Sequence, residues 1–213
     1  MRHILVTGAA GYIGSILTQQ LLAAGHRVRG LDCLLFGGEA LLPILNHPRF
    51  EFMRGDVRQE SDLFTALEGI DAVIHLAAIV GDPACAKDEA LAEQTNWLGS
   101  KLLFDLSVSR ETVKRFVFAS TCSNYGKMKG DGFVDESATL RPVSLYAELK
   151  VRFERYLLDS SSRPDFVPTA LRFATVYGLS PRMRFDLTVN EFMLEVSRGR
   201  ELKIFGEQFW RPY

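Results

Sequence analysis

Thr7-Gly8-Ala9-Ala10-Gly11-Tyr12-Ile13-Gly14 is the stretch that decides the fold of this 213-residue chain. It follows the short apolar run 4–6, which has the length of a buried strand, and it leads into a stretch with helical periodicity. In this context Gly8 allows a tight turn, Gly11 lets the backbone approach a pyrophosphate, and Gly14 lets helix and strand pack closely. The positive end of the helix faces the anion. The stretch therefore predicts a dinucleotide-binding loop.

Short apolar or β-branched runs alternate with helix-period stretches along the rest of the chain. The predicted strands are Ile4 to Val6, Arg27 to Leu31, Phe50 to Arg54, Ala72 to His75, Arg115 to Ala119 and Thr169 to Arg172. The predicted helices are Tyr12 to Ala24, Glu60 to Leu67, Ala90 to Ser109, Ser144 to Ser160 and Val189 to Ser197, and 202–205 is a possible further strand. This alternation predicts an α/β fold with a doubly wound parallel sheet, the Rossmann fold.

Composition limits the classes of partner. The 25 Lys and Arg balance 26 Asp and Glu, so a small molecule is expected rather than nucleic acid or an anionic membrane. The three cysteines, Cys33, Cys85 and Cys122, are widely spaced and form no CxxC or Cys/His cluster. We therefore expect neither a metal site nor a disulfide scaffold. The apolar run before the glycines is too short for a signal peptide or a membrane span, so we expect a cytoplasmic protein.

Acidic residues after the second and third strands refine the ligand. Asp32 comes 18 residues after Gly14, where a carboxylate would bind both ribose hydroxyls and repel a 2′-phosphate. NAD is therefore favoured over NADP, although turn glycines beside an incidental acid remain the alternative. Asp56, helped by the Val57 backbone, is expected either to bind the adenine amino group or to cap the following helix.

The end of the fourth strand is also expected to lie beside the cofactor. Leu76, Ala77 and Ala78 are small or apolar and would let the backbone pass closely beneath it. His75 is expected to be a packed strand histidine rather than a catalyst.

Three residues further along indicate proton and hydride chemistry. Tyr146 and Lys150 lie four apart in a predicted helix and so share one face. A nearby ammonium and the positive nicotinamide ring would stabilise the phenolate, which makes the tyrosine a usable general base. Thr121, just beyond a predicted strand, would share the proton. The alternative is an amphipathic helix with incidental residues.

Together these segments resemble the extended short-chain dehydrogenase/reductase superfamily, in particular its nucleotide-sugar epimerase and dehydratase branch. The matching segments are 7–14, Asp56-Val57, Asn96-Trp-Leu-Gly-Ser100, Thr121-Cys-Ser-Asn-Tyr-Gly126, the pair Tyr146 and Lys150, and Leu171-Arg-Phe-Ala-Thr-Val-Tyr-Gly178. The resemblance implies NAD bound by the loop, including Tyr12 and Ile13, and by Asn96, with Thr121, Tyr146 and Lys150 catalytic. It also implies a nucleotide-diphosphate sugar substrate and a homodimer formed through the helices near 90–109 and 144–160.

Departures from the family pattern bear on the reaction. The family's 4,6-dehydratases carry Asp-Glu directly after the catalytic Thr, whereas this chain has Cys122 and Ser123. The reductases that also epimerise place a catalytic Cys where Ser123 stands. Epimerisation at C4 is therefore the leading expectation. A dehydratase, a decarboxylase, a reductase and a non-catalytic NAD-binding fragment stay open.

The substrate side is expected in the last part of the chain. We expect a cofactor domain at 1–178 and the start of a substrate lobe, apparently truncated, at 179–213. The candidate substrate ligands are Thr175, Arg182, Arg184, Asn190 and Arg211. For the arginines and the asparagine in the loop after 178, a solvated loop is the alternative.

Overall fold

The computed structural model describes residues 1–127, 133–160 and 163–202. It contains a six-stranded, fully parallel sheet in the order β3-β2-β1-β4-β5-β6. The strands are β1 His3–Thr7, β2 Arg27–Asp32, β3 Phe50–Arg54, β4 Ala72–His75, β5 Arg115–Thr121 and β6 Val167–Phe173. The six predicted strands and the doubly wound parallel sheet are thus confirmed.

Helices connect the strands. They are α1 Tyr12–Ala23, α2 Glu60–Ala66, α3 Asp82–Lys87, α4 Glu89–Ala92, α5 Ser100–Ser109, α6 Leu145–Asp159 and α7 Thr188–Ser197. A π-helical segment, Glu93–Gly99, joins α4 to α5, and 3-10 turns cover Glu39–Ile44 and Cys122–Tyr125. The predicted helices are confirmed to within about two residues, but α3 and the 3-10 turns were not predicted. The possible strand at 202–205 lies outside the described residues except for Leu202, which belongs to no strand.

Two apolar layers hold the sheet, one on each face. On β1 the alternation is direct: Leu5 enters one layer, while Ile4 and Val6 enter the other. The first layer includes buried residues of α2, α5 and α6, and the second includes Leu22 of α1. Each fully buried Leu or Phe contributes about 1.5–3 kcal/mol. Because both faces are covered, the central strands β1 and β4 read as nearly continuous apolar runs, whereas β2 and β3 carry charged residues.

The strand order places the site. The connections from β1 to β2 and from β3 to β4 run to opposite sides of β1, so a crevice opens between the carboxyl ends of β1 and β4. Thr7, the last residue of β1, is level with Leu31 of β2 and His75 of β4. The glycine loop and the residues after β4 therefore meet at one edge of the sheet.

Candidate active site

The glycine loop turns sharply between β1 and α1. Gly8 has φ +72°, a left-handed conformation, and the Gly11 N–H donates to its carbonyl at 3.0 Å. A Cβ on Gly8 would lie 2.8 Å from Ala77 N, and one on Gly14 would lie 2.0 Å from Gly8 O. Side chains are excluded here because the start of α1 sits directly on the loop. The backbone N–H groups at this helix end are the ones that bind phosphate in such loops.

Gly14→Ala is expected to weaken NAD binding by about tenfold or more, since forcing a methyl into such a contact costs ~1–3 kcal/mol and 1.4 kcal/mol is a factor of ten. Titration calorimetry with NAD measures it. Gly25→Ala is the matched control, because Gly25 also has a positive φ, +88°, but open space around its Cβ position. Unchanged NAD affinity in Gly14→Ala would contradict the prediction.

Asp32 closes β2 beside the loop. Its carboxylate accepts hydrogen bonds from Ala10 N at 3.0 Å and from Leu34 N at 2.8 Å. It thereby ties the glycine loop to the chain that follows β2. A side-chain-free cradle with a carboxylate at its rim fits a dinucleotide with free ribose hydroxyls, as the sequence predicts.

Asp56 has an arginine partner that the sequence did not indicate. Its carboxylate accepts from the backbone N of Arg58 at 2.9 Å and from Arg58 Nε at 3.0 Å. These hydrogen bonds from Arg58 lower the pKa of Asp56 below its usual value. The helix-cap alternative is wrong, because Gln59 occupies the N-cap of α2. Val57 is buried in the apolar layer. A role for this pair at the adenine stays a prediction.

The backbone after β4 is fixed against the glycine loop. Thr7 accepts from Leu76 N through its carbonyl at 3.2 Å and from Ala77 N through its hydroxyl at 3.3 Å. The Asn96 amide accepts from Ile79 N and donates to Ile79 O, both at 2.8 Å. Asn96 thus positions the loop after β4, and Ala78 lies within that loop. A contact of Asn96 with the cofactor stays a prediction.

His75 is the packed strand histidine that the sequence predicts. It is 1% exposed, with Nδ1 2.7 Å from Thr7 Oγ1 and Nε2 2.8 Å from Ser100 Oγ. Burial lowers its pKa to about 3, with a smaller effect from the charge of Lys150. The ring is therefore neutral at physiological pH and its nitrogens are both engaged.

The three predicted catalytic residues lie on β5 and α6. Thr121 is the last residue of β5, which continues two residues past the strand end predicted from the sequence, and its hydroxyl accepts from Ser123 N at 3.2 Å. Ser144 caps α6 by accepting from Ala147 N, so Tyr146 lies in the first turn. Lys150 is buried, and its Nζ donates to Ala119 O at 2.8 Å.

The ammonium group of Lys150 lies between aromatic rings. Its Nζ is 4.6 Å from the centre of the Phe118 ring and 5.8 Å from that of the Tyr146 ring. Burial lowers the pKa of Lys150 to about 8. The bond to Ala119 anchors α6 to β5, because these two elements carry the donor and the acceptor.

The environment of Tyr146 differs from the expectation. Burial, followed by the charge of Cys85, raises the pKa of Tyr146 to about 12 in the protein alone, and the charge of Arg184 acts in the opposite direction. The predicted lowering of this pKa by Lys150 is therefore not what the protein shows by itself. Cys85 belongs to α3, whose Asp82 accepts from Ser144 Oγ at 2.7 Å.

The contacts of α3 were missed by the sequence analysis. The only local signal was Gly81-Asp82-Pro83, in which a proline follows a residue that can begin a helix. Cys85 is fully buried, and its thiol donates to Ile79 O at 3.4 Å. It packs in one apolar cluster with Leu149 and Tyr146. Cys85 and Leu149 thus pack against Tyr146 and contribute to its burial, which the sequence did not predict.

The candidate substrate ligands follow β6. Thr175 is half-buried two residues beyond the strand, and Arg182 and Arg184 are half-buried in the loop before α7. Asn190 is buried, and its amide accepts from Gly178 N and donates to Tyr12 OH, each at 3.0 Å. Its contact with a diphosphate would require exchange of one of these bonds. Arg211 lies outside the described residues.

Comparison with known proteins gives the chain its family. The NAD dependent epimerase/dehydratase family matches residues 4–213. The chain belongs to this family. It is 32% identical over 211 residues to the uncharacterized UDP-glucose epimerase YtcB of Bacillus subtilis, and 31% identical over 211 residues to the dTDP-glucose 4,6-dehydratase of Streptomyces griseus. These alignments cover 96% of this chain, and 65% and 63% of the relatives.

A solved epimerase/dehydratase structure agrees. The UDP-glucuronic acid 4-epimerase of Bacillus cereus, in complex with UDP-glucuronic acid and NAD, superimposes with a TM-score of 0.84 at 31% identity. The alignment covers 96% of this chain and 66% of that protein. The chain likewise spans about 65% of the length of the curated relative YtcB. The predicted superfamily, Rossmann fold and NAD dependence are confirmed. Within the described residues, no helix is long and apolar enough to cross a membrane.

Proposed function

We propose that this chain carries the cofactor site and the catalytic residues of an NAD-dependent nucleotide-sugar 4-epimerase. One observation carries the choice within the family. Thr121 is followed by Cys122 and Ser123, so the carboxylates that the family's dehydratases use for elimination have no counterpart at these positions. Proton and hydride movement at one hydroxyl carbon is the chemistry that the remaining groups support.

Each catalytic group has a defined task in this proposal. Tyr146 removes the proton from the sugar's 4-hydroxyl, and the Thr121 hydroxyl shares that proton. Lys150, anchored on Ala119 O, holds α6 against β5 and supplies positive charge near the phenol ring. NAD, held by the glycine loop, would supply the acceptance and return of a hydride at C4, and would therefore be regenerated. Because the proton and the hydride both return, no co-substrate is consumed.

The substrate would be a nucleotide-diphosphate hexose or hexuronic acid held by the part of the chain after β6. Arg182 and Arg184 supply positive charge there, and Thr175 lies near the end of β6. We propose a cofactor domain at 1–178 and the beginning of the substrate lobe at 179–213, where Arg211 is a further candidate. The relatives act on or bind UDP and dTDP sugars, which makes these the first substrates to test.

Incubation with UDP-glucose, UDP-glucuronic acid and dTDP-glucose tests the proposal. Product NMR should show the C4 epimer of at least one sugar, while absorbance at the NADH band should show no net change. A keto-deoxy product would instead identify a dehydratase, and net NADH would identify a simple dehydrogenase. NAD binding with no conversion of any sugar would favour a non-catalytic fragment. Each of these three results contradicts the proposal.

Two further expectations belong to the same proposal. We propose a homodimer formed through the helical stretch 89–109 and α6, where Arg152 stacks on Trp97 at 4.0 Å and Trp97 contacts Tyr156 edge-on. Leu98 is exposed on the same stretch. We also propose a cytoplasmic location.

A further inference from the structure

The first turn of α1 is hydrogen-bonded to the segment 178–190. This is the arginine segment, which contains Arg182 and Arg184. Tyr12 OH donates to Gly178 O at 2.6 Å and accepts from Asn190 Nδ2 at 3.0 Å. Ser180 Oγ donates to Tyr12 O at 2.7 Å. Tyr12 is part of the glycine loop motif. The cofactor loop and the arginine segment therefore share hydrogen bonds across more than 160 positions of sequence.

The hydrogen bonds that join Tyr12 to Gly178, Ser180 and Asn190 are called the seam. Both arginines are attached to it through their backbones. Asn190 Nδ2 also donates to Arg184 O at 3.0 Å, and Arg182 N donates to Ser180 Oγ at 3.2 Å. The Oδ1 of Asn190 accepts from Gly178 N, so the amide joins Tyr12, Gly178 and Arg184. An amide whose donors and acceptor are all engaged holds one orientation. Asn190 consequently fixes the backbone of Arg184 relative to Tyr12.

The arginine segment also reaches the other side of the cofactor loop. The Arg182 guanidinium stacks on the ring of Phe36, 4.5 Å from its centre, in the connection after β2. That connection begins beside Asp32, which itself binds the glycine loop through Ala10 N. The segment therefore contacts both the first turn of α1 and the connection after β2.

We propose that the Tyr12 hydroxyl and the Asn190 amide are positioning residues that make NAD and the nucleotide diphosphate bind cooperatively. This proposal rests on the proposed function. NAD orders the glycine loop and the first turn of α1, and the seam transmits that order to Arg182 and Arg184. The second ligand then meets a segment that is already ordered, so it loses less conformational entropy on binding. Linkage requires the coupling to be equal in both directions.

The test measures this coupling directly. Titration calorimetry gives the Kd of UDP with and without saturating NAD, and the ratio of the two values is the coupling factor. The wild-type protein should bind UDP more tightly with NAD. Tyr12→Phe keeps the ring and removes the hydroxyl with its two hydrogen bonds, and should lower the coupling factor by at least about fivefold, since each bond has a net contribution near 1 kcal/mol. The NAD affinity of each variant is measured separately without UDP, so that NAD is saturating in every titration that uses it.

A matched control is available on the same segment. Tyr177→Phe makes the same atomic change on an exposed tyrosine next to Gly178, and should leave the coupling factor at its wild-type value. Asn190→Ala, which removes the whole amide, should lower the factor at least as far as Tyr12→Phe. A wild-type coupling factor in Tyr12→Phe, or a coupling factor lowered as far in Tyr177→Phe as in Tyr12→Phe, would overturn the proposal.

A second readout separates this proposal from the proposed function. If the wild-type protein binds neither UDP nor UDP sugars with NAD present, the proposed function fails. The seam is then tested by hydrogen exchange at the Gly178 amide, which donates to Asn190. NAD should slow this exchange in the wild type and much less in Tyr12→Phe. Equal protection in the two proteins would overturn the seam's role, whatever the substrate.

Discussion

Tyr146→Phe is expected to lower turnover on a nucleotide sugar by about 10²- to 10⁴-fold, the usual contribution of a positioned acid or base. The substitution removes only the phenol oxygen and keeps the ring that packs with Cys85 and Leu149. NAD binding should therefore persist. Turnover is measured by NMR on the sugar that the wild-type protein converts, and NAD binding by titration calorimetry.

Tyr177→Phe provides the control for this variant, because it removes the same atom from an exposed ring and should keep wild-type turnover. Tyr146→Phe with most of the wild-type turnover would show that the phenol is not the base. Loss of NAD binding together with turnover would show that Tyr146 acts in building the site rather than in the reaction.

The titration of the phenol gives an independent check on its role. Burial first, and the charge of Cys85 second, raise the pKa of Tyr146 to about 12 in the protein alone, so the phenol is protonated at neutral pH. A positive charge nearby favours the phenolate and lowers this pKa. NAD carries such a charge on its nicotinamide ring. The tyrosinate absorbance that is lost in Tyr146→Phe should therefore appear at lower pH when NAD is bound.

Local sequence predicted much of the fold because its signals are local. The buried strands are short apolar runs, and Gly8 and Gly14 are the residues that the turn and the close helix contact require. By contrast, α3 has six residues and shows no period long enough to recognise. The π-helical segment Glu93–Gly99 was predicted simply as helix, because its wider turn hardly disturbs an apolar pattern.

The site could be predicted as a set of residue types but not as a set of contacts. Tyr146 and Lys150 could be predicted from their spacing. The hydrogen bond from Lys150 to Ala119 O joins two elements, α6 and β5, and neither element's sequence indicates it. Asn190 was expected to face a diphosphate. That role stays a prediction. The structure adds a hydrogen bond to Tyr12 across 178 positions, and a pairing of such long range depends on tertiary packing.

The same limit applies to Glu154, which the sequence analysis did not single out. Its carboxylate is buried beside the carboxyl end of β5, one helical turn beyond Lys150. It accepts from Arg172 Nε at 2.9 Å, from Ser120 Oγ at 2.6 Å and from Asn124 Nδ2 at 3.1 Å. Arg172 lies on β6, and Ser120 and Asn124 lie on either side of Thr121. The carboxylate therefore fastens the Thr121 region to α6 and β6.

Glu154→Ala is expected to lower the free energy of unfolding by about 3–5 kcal/mol, the usual cost of removing one partner of a buried ion pair. The loss is large because Arg172, Ser120 and Asn124 keep their polar atoms in a buried place without the carboxylate. Urea unfolding followed by circular dichroism measures it. Glu148→Ala is the control, since Glu148 is exposed on the same helix and its loss should cost little.

A double variant separates the loss of the ion pair from the loss of packing. Glu154→Leu combined with Arg172→Met removes both charges and keeps much of the buried volume, so it should cost less than the sum of the two single changes. If Glu154→Ala costs no more than Glu148→Ala, the carboxylate does not hold these elements together. If the double variant is as costly as the sum, the pair is not coupled and the loss comes from packing. With coupling established, the fixed position of Thr121 relative to Tyr146 follows from a carboxylate on α6 that binds β5, the turn after it and β6 at once.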